Sequence, residues 1–423
     1  MSIPHRLFAI PEILGIVTGL LENPQDVARL ARVCRRFFNL CMPIAWRHVS
    51  FVMQIFNLLP DVNIATLSGG GAIIEIPGSL TEESLSRFHL YAPFISILDI
   101  SKTGPTPWKL CNWNWLFMYS RTRPLLPKLQ ILTFTFQNLQ MGSTVSPTPI
   151  WFTLFLSPSL LHFQALHRSS HLRLTTRLGY YFILRSLADT CPGLRTLGFF
   201  PADSYSTDSK KDTDWSHLLS DKEISSRHDL SPLFARLRCL TSLRTQRRGL
   251  ESLSPDILSC LEWVDITISS RSPGNNQIPY TLLTSLKHLE VYKGESNVIL
   301  KALPVSTVIL TSIILGTKLD NDFIHQVTSR LAMYCPLLTD LSLHAALLSI
   351  QAASFSPLAL ITSLRRLCIT HSKLVSPTQR FNVVSDINNL LPGLKTLELR
   401  DERSRYRTSQ MLLLGFQGSS TIL

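Results

Sequence analysis

A short apolar pattern recurs along most of the chain and narrows the folds that the chain can adopt. It reads Leu-x-x-Leu-x-Leu, with other aliphatic or aromatic residues accepted, at a mean step of about 30 residues. The eleven copies are Ile95/Leu98/Ile100, Leu129/Leu132/Phe134, Leu160/Phe163/Ala165, Leu194/Leu197/Phe199, Leu240/Leu243, Leu261/Val264/Ile266, Leu286/Leu289/Val291, Val305/Val308/Leu310, Leu338/Leu341/Leu343, Leu364/Leu367/Ile369 and Leu394/Leu397/Leu399. Repetition of this kind predicts stacked helix–strand units whose apolar residues form a continuous core.

The residues that precede three of the copies indicate how each unit is built. The segments read SLADTCPGLRTLGF, RLAMYCPLLTDLSL and NNLLPGLKTLEL, with an apolar stretch before a proline. Because a proline disfavours helix in the residue before it, we predict that a helix ends there and a short strand follows. A compact α/β domain with a parallel sheet has the same local elements, and this alternative stays open.

Residues 10 to 49 precede the repeats and begin with a predicted amphipathic helix. Pro11 suits a first helical position because its missing N–H is not needed there, and Glu12 adds a negative charge to the first turn. Apolar residues then recur at three- and four-residue steps, at Ile13, Ile16, Val17 and Leu20. We therefore predict a helix with one apolar face.

A second helix has its own start signal. Asn23 can cap it, Pro24 stands in its first turn, and Asp26 adds a carboxylate there. Its predicted apolar stripe is Val27, Leu30, Cys34, Phe37 and Cys41, widened by Val33 and Phe38. A third short turn at residues 43–46 ends with Trp46.

So small a helical unit buries too little apolar surface to be stable alone. Its apolar residues must therefore pack either on a partner or on the rest of the chain. In the second case the helices would only cap the domain that follows them.

This stretch is similar to an F-box. Four runs stand in the order and separation of that motif: Pro-Glu-Ile-Leu at 11–14, Asp-Val at 26–27, Val-Cys-Arg-Arg-Phe at 33–37 and Ile-Ala-Trp-Arg at 44–47. Ile10 departs from the usual leucine, which is a volume-conserving change. The resemblance implies docking on a Skp-type adaptor and, through it, on a cullin–RING ligase. By motif position the adaptor-facing residues are Pro11, Ile13, Leu14, Ile16, Val17, Leu20, Leu30, Val33, Cys34, Phe37 and Trp46.

The repeats resemble the irregular leucine-rich repeats that follow F-boxes, especially in fungal proteins. The resemblance implies an α/β fold in two parts. A small helical F-box at residues 1–48 would precede a leucine-rich-repeat solenoid with a curved parallel sheet at 49–423. Residues 202–232 are polar and rich in Ser and Asp, which predicts a loop leaving the solenoid.

In such a solenoid the residues that flank the strand leucines lie on the concave surface, because side chains alternate along a strand. The candidate substrate-binding residues are Arg244, Trp263, Asp265, His288, Glu290, Tyr292, Asp340, His344, Arg366, Glu398 and Arg400. Arg, Trp and Tyr are the types that most often anchor interfaces. The plainer alternative is that these are ordinary solvated strand residues.

Composition limits the partners and the compartment. The formal net charge of +12 permits contact with nucleic acid or anionic membranes, but the arginines are spread along the chain. We interpret the charge as a bias towards acidic partners.

No two of the eight cysteines have the spacing of a zinc finger or a redox motif. That usage favours a reducing compartment, the cytoplasm or the nucleus.

One segment is long enough to cross a membrane. Residues 341–364 carry no formal charge, but Pro357 interrupts them and their ends fit the repeat. We therefore predict no membrane span.

Motifs for catalysis are absent from the sequence. Ser68–Gly71 lacks the Gly-Lys-Ser/Thr ending of a phosphate loop, and no nucleophile elbow or zinc-binding helix is present. We expect no catalytic residue, metal or cofactor.

The F-box resemblance implies a substrate-recognition subunit of an SCF-type (Skp–cullin–F-box) E3 ubiquitin ligase, with repeats that hold a target protein. Two alternatives stay open. One is an adaptor-bound scaffold without a ligase role, and the other is a basic repeat protein that binds nucleic acid or a membrane surface.

Overall fold

A computed structural model describes most of the chain from residue 10 to residue 401. The described residues are 10–21, 23–50, 52–66, 72–78, 81–100, 108–136, 150–167, 177–199, 230–246, 250, 253–267, 284–292, 309–316, 321–345, 351–371 and 377–401. Two compact units make up the chain, Met1–Leu240 and Thr241–Leu423.

Three helices begin the first unit: α1 (Pro11–Gly19), α2 (Pro24–Ala31) and α3 (Arg35–Ala45). Asn23 caps α2 as predicted, since its side-chain oxygen accepts a hydrogen bond of 2.9 Å from the backbone N–H of Gln25.

The single second helix of the prediction was wrong. The chain breaks at residues 32–34, where Cys34 adopts an extended conformation at φ −160°. The predicted third turn is instead the end of α3, which contains Pro43. A continuous apolar stripe in the sequence cannot reveal such a break, because α2 and α3 both contribute apolar residues to the same core.

These helices share one core, formed by Leu14, Val27, Ala31, Phe37, Cys41 and Met42. Tyr91 and Phe94, from beyond the three helices, pack against it. The ring of Tyr91 lies 4.8 Å from the ring of Trp46, centroid to centroid. The helices are therefore partly supported by their own chain, as so small a unit requires.

The rest of the first unit alternates helices and short strands. Its further helices are α4 (Val52–Phe56), α5 (Ser86–Tyr91), α6 (Asn114–Thr122), α7 (Arg177–Thr190) and Ser231–Phe234, with 3-10 turns at Ala92–Phe94 and Ile150–Phe155. Its strands are β1 (His48–Val49), β2 (Asn63–Thr66), β3 (Ala72–Glu75), β4 (Ile97–Asp99), β5 (Trp108–Cys111), β6 (Ile131–Phe136), β7 (His162–His167) and β8 (Thr196–Phe199).

These strands form two sheets. In the larger one β1, β4, β6, β7 and β8 are neighbours in that order, and every pair is parallel. In the smaller one β3 pairs antiparallel with β2 and parallel with β5.

The second unit contains a long parallel sheet. Its strands are β9 (Ser242–Gln246), β10 (Trp263–Thr267), β11 (His288–Tyr292), β12 (Ser312–Gly316), β13 (Asp340–Ala345), β14 (Arg366–His371) and β15 (Thr396–Asp401). These strands are neighbours in the sheet in the same order as in the chain, and each neighbouring pair is parallel. Helices at Pro255–Cys260, Asn321–Tyr334 and Pro377–Leu390 and a 3-10 segment at Ala352–Leu360 lie between strands.

The apolar pattern sets the register of this sheet. The middle residue of each copy pairs with the middle residue of the next, in the series Leu243, Val264, Leu289, Ile313, Leu341, Leu367 and Leu397.

One predicted copy of the apolar pattern was placed wrongly. The strand after β11 uses Leu310, Ile313 and Leu315, all fully buried, and not the set that begins at Val305. The two sets fit the spacing equally well.

Many of the strands are entered through the same tight turn. In three examples the first residue of the copy donates its backbone N–H to the carbonyl three residues earlier: Leu194 to Cys191, Leu338 to Cys335 and Leu394 to Leu391. A proline follows Cys191, Cys335 and Leu391, and a helix ends just before each of them. The predicted helix-to-strand transition at these prolines is confirmed.

The described residues of the uncharged segment, 341–345 and 351–364, lie in β13, in the 3-10 segment and in the turn before β14, and residues 346–350 lie outside the described residues. Within the part of the chain that the structure describes, no helix is long and apolar enough to cross a membrane. Residues 202–229 of the predicted polar loop lie outside the described residues.

Candidate functional site

The predicted apolar face of α1 is turned towards solvent. This α1 outer face consists of Ile13, Ile16, Val17 and Leu20, and the side chains of Ile16 and Leu20 are 64% and 74% exposed. The opposite side of the helix serves the core, where Leu14 is fully buried. Since exposed aliphatic groups gain free energy when they are covered, the α1 outer face suits a protein partner.

The other predicted adaptor-facing residues differ in how far they are buried. Val33 and Cys34 are exposed in the turn between α2 and α3, while Leu30 and Trp46 are half-buried. The backbone of Pro11 begins α1, but its side chain lies outside the described residues.

Two of the predicted adaptor-facing residues are buried by the chain itself. Leu14 and Phe37 are buried in the core of the three helices, so neither side chain is available to a partner in this structure. Helical periodicity identifies a set of apolar positions, but it does not tell which of them the chain itself covers.

Sequence reasoning missed two exposed apolar residues in the same stretch. Ile10 precedes α1 and Ile44 lies near the end of α3, and both are large hydrophobic residues that remain exposed. Their signal was present in the sequence, because Ile10 stands three residues before Ile13 and Ile44 stands three residues after Cys41, so both continue the predicted apolar sets at helical spacing.

The second candidate surface is the side of the β9–β15 sheet opposite its buried leucines. Side chains alternate along each strand, so the residues on either side of a middle leucine share this side. We call it the polar face, and its residues are Ser242, Arg244, Trp263, Asp265, His288, Glu290, Ser312, Ile314, Asp340, Ser342, Arg366, Cys368, Thr396 and Glu398. The predicted residues Tyr292, His344 and Arg400 stand on these strands, but their side chains lie outside the described residues.

Five predicted residues meet in one group, the β9–β11 cluster of Arg244, Trp263, Asp265, His288 and Glu290. Arg244 pairs with Asp265 through Nε, and its Nη2 lies 3.8 Å from Oε2 of Glu290. His288 Nε2 lies 2.9 Å from Oε1 of Glu290. The indole of Trp263 stacks on the His288 ring at 5.6 Å with 7° between the planes, and the Arg244 guanidinium lies 5.8 Å from the Trp263 ring centre.

Asp265 is the most buried member of the cluster, with 1% of its surface exposed. Burial raises the pKa of its carboxyl from 3.8 to about 7, against the pull of Arg244 and with a further increase from Glu290. Its Oδ2 is paired with Arg244, while its buried Oδ1 has no hydrogen-bond donor among the described residues. Asp265 is therefore a carboxyl whose charge is only partly compensated.

The remaining predicted residues lie farther along the polar face. Arg366 donates from Nε and Nη2 to Oε1 of Glu398, at 3.1 and 2.8 Å, in a pair that is partly exposed. Asp340 accepts a hydrogen bond of 2.7 Å from the hydroxyl of Thr339. The structure therefore does not join these residues to the β9–β11 cluster by any contact among the described residues.

Two polar-face residues, Ser312 and Ile314, were missed because the copy on β12 was given the wrong register. The alternative reading of the same segment, Leu310-x-x-Ile313-x-Leu315, would have found them. The polar face as a whole offers carboxylates, guanidinium groups and an aromatic stack, which are groups that bind protein side chains.

The comparisons with known proteins concern the helices alone. Residues 11–52 match the family described as F-box-like, a stretch of about a tenth of the chain that includes α1, α2 and α3. No curated protein matches the chain.

Proposed function

We propose that this chain is a substrate receptor of an SCF-type ubiquitin ligase. F-box domains generally bind Skp-type adaptors, and here α1, α2 and α3 would dock the adaptor, which joins a cullin–RING ligase. The observation that carries the proposal is the exposure of the α1 outer face within residues that match the F-box-like family. Full burial of one such side chain contributes about 1.5–3 kcal/mol, so a partner that covers Ile16, Leu20 and Val33 gains substantial free energy.

The strand units would be leucine-rich repeats stacked in a solenoid whose curved sheet presents the polar face to a target. The constant register of β9–β15 and the repeated turn before the strands support this proposal. The target would be held so that its lysines meet the ubiquitin-charged enzyme. Catalysis would then be proximity supplied to other subunits, and this chain would carry no catalytic residue.

We further propose that the protein works in the cytoplasm or the nucleus. All eight cysteines are free thiols in the structure, and four of them are buried. Free thiols persist in reducing compartments, where ubiquitin ligases act.

Two leucines with nearly equal exposure test the docking surface. Leu20 lies on the α1 outer face with 74% exposure, and Leu360 lies in the second unit with 77% exposure. We expect Leu20→Glu to abolish co-purification of a Skp-type adaptor with the full chain, because a charge would be buried at the contact. Leu360→Glu should leave adaptor recovery unchanged. Neither side chain packs in a core, so both variants should melt like the wild type.

Equal adaptor recovery with Leu20→Glu and the wild type would refute the docking proposal. Ubiquitin transfer in a reconstituted cullin–RING reaction then separates the receptor from a scaffold. A scaffold would bind the adaptor without promoting transfer to any bound target.

A further inference from the structure

Two arginines flank an exposed apolar residue between α2 and α3. This stretch, which we call the basic turn, reads Arg32-Val33-Cys34-Arg35, and all four residues are exposed, Val33 by 67%. Val33 is one of the side chains that the proposed adaptor contact would cover. Any partner that covers Val33 comes close to both guanidinium groups, because Arg32 and Arg35 lie within two residues of it.

The chain supplies the basic turn with no counter-charge among the described residues. Arg29, three residues before Arg32, is paired with Asp26, whose Oδ1 lies 3.0 Å from the arginine Nη1. Within the same described part of the chain, Arg32 and Arg35 form no ion pair. Their positive charge is therefore available to a partner, and it acts more strongly when the partner displaces water from around it.

The position of Arg35 is electrostatically unfavourable for the helix that it begins. Arg35 is the first residue of α3, which has no acidic residue in its first turn and no side-chain cap from Cys34. By contrast, α1 and α2 carry Glu12 and Asp26 in their first turns. Because a positive charge opposes the helix dipole at this end, Arg35 does not contribute to the stability of α3. A contact with an anionic partner would give this charge a physical reason.

We propose that the basic turn binds an acidic segment of the adaptor. A carboxylate opposite Arg35 forms a charge-assisted pair with its guanidinium and also neutralises charge at the positive end of α3. Arg32, on the other side of Val33, adds to the positive potential. The inference rests on the proposed function, because it names the chemistry of the adaptor surface that lies next to Val33. The α1 outer face then contributes apolar burial to docking, and the basic turn steers the encounter.

Association kinetics of the purified full chain with a purified Skp-type adaptor test the inference. At about 50 mM salt, Arg35→Glu should lower the association rate constant about ten-fold and Arg35→Gln about three-fold, because charges at the rim of a contact act mainly on the rate of encounter. At about 500 mM salt both variants should come within about two-fold of the wild type, since exposed charges are then screened.

The matched control is Arg87→Glu. Arg87 is exposed in the first turn of α5 and has no ion pair among the described residues, so the substitution makes the same change of charge at the same kind of helix position. It should alter the association rate constant less than about two-fold at either salt concentration. Glutamate is favourable in a first turn, so Arg35→Glu and Arg87→Glu should melt no lower than the wild type.

A charge exchange separates a direct contact from a structural effect. Among adaptor variants in which one exposed Asp or Glu is changed to Lys, at least one should associate with Arg35→Glu about five-fold faster than with the wild-type chain. The inference is overturned if no such adaptor variant exists.

The same measurements distinguish this inference from the proposed function. Adaptor binding that is lost with Leu20→Glu, but is insensitive to salt and to Arg35→Glu, refutes the acidic segment alone. Absence of adaptor binding by the wild type refutes the proposed function and the inference together. A DNA duplex that displaces the adaptor, and that loses affinity with Arg35→Glu but not with Arg87→Glu, would assign the basic turn to phosphate groups and overturn the inference.

Discussion

The two candidate surfaces differ in how they would hold a partner. The α1 outer face is purely aliphatic, so any partner that covers it gains free energy without fine orientation of its groups. The polar face places charged groups in defined pairs, and a partner must match their positions or leave charges uncompensated. One chain therefore presents an aliphatic surface and a charged surface, and these make different demands on any partner.

The largest expected change in the free energy of unfolding distinguishes the core of the N-terminal helices from the α1 outer face. Phe37 lies in their shared core, so Phe37→Ala should reduce the free energy of unfolding by about 3–5 kcal/mol. Ile16→Ala, on the α1 outer face, should change it by less than about 0.5 kcal/mol. Denaturant unfolding of the full chain measures both values. Similar losses in the two variants would mean that the α1 outer face is covered by the chain itself.

The next effect compares two ion pairs on the polar face. Arg244→Met leaves Asp265 buried without its cation and should cost about 2–3 kcal/mol at pH 8. Arg366→Met breaks the more exposed pair with Glu398 and should cost less than about 1 kcal/mol. The same unfolding measurement applies. If Arg366→Met proved the more damaging, burial would not be the factor that ranks these pairs.

The last comparison concerns the pH dependence of stability, a change that is spread over several pH units. The folded-state pKa of Asp265 is raised to about 7, above its ordinary 3.8, so between these values the folded protein binds more protons than the unfolded chain. Stability from this group is therefore greatest at low pH and falls as pH rises towards 7, by at most about 1.4 kcal/mol per pH unit. Relative to Asp265→Asn, the wild type should lose stability from pH 5 to pH 7 and change little above pH 8. Parallel curves for the two proteins would contradict a raised pKa.

Much of the local structure could be predicted from residues in sequence order. Asn23 and Pro24 predicted the start of α2, and the prolines after Cys191 and Cys335 predicted the change from helix to strand. These signals act within a few residues, so they do not depend on distant contacts. The same local view failed at β12, where two overlapping apolar sets compete and only the pairing of Leu289 with Ile313 selects one.

The sequence predicted which residues belong to the candidate surfaces better than it predicted how their side chains are arranged. Alternation along the strands placed Arg244, Asp265 and Glu290 on one side of the sheet, and the structure brings them into contact. That Asp265 would be almost fully buried could not be inferred, because its burial depends on side chains from neighbouring strands.

The amino-acid order by itself determined the helix starts, the helix-to-strand turns and the sets of residues that share a face, because periodicity and capping are local properties of a chain. Only the tertiary structure decided which apolar set is covered, sending Leu14 and Phe37 into the core and leaving Ile16 and Leu20 in solvent. Burial is a relation between segments distant in sequence, and two faces of similar hydrophobicity differ only in what packs against them.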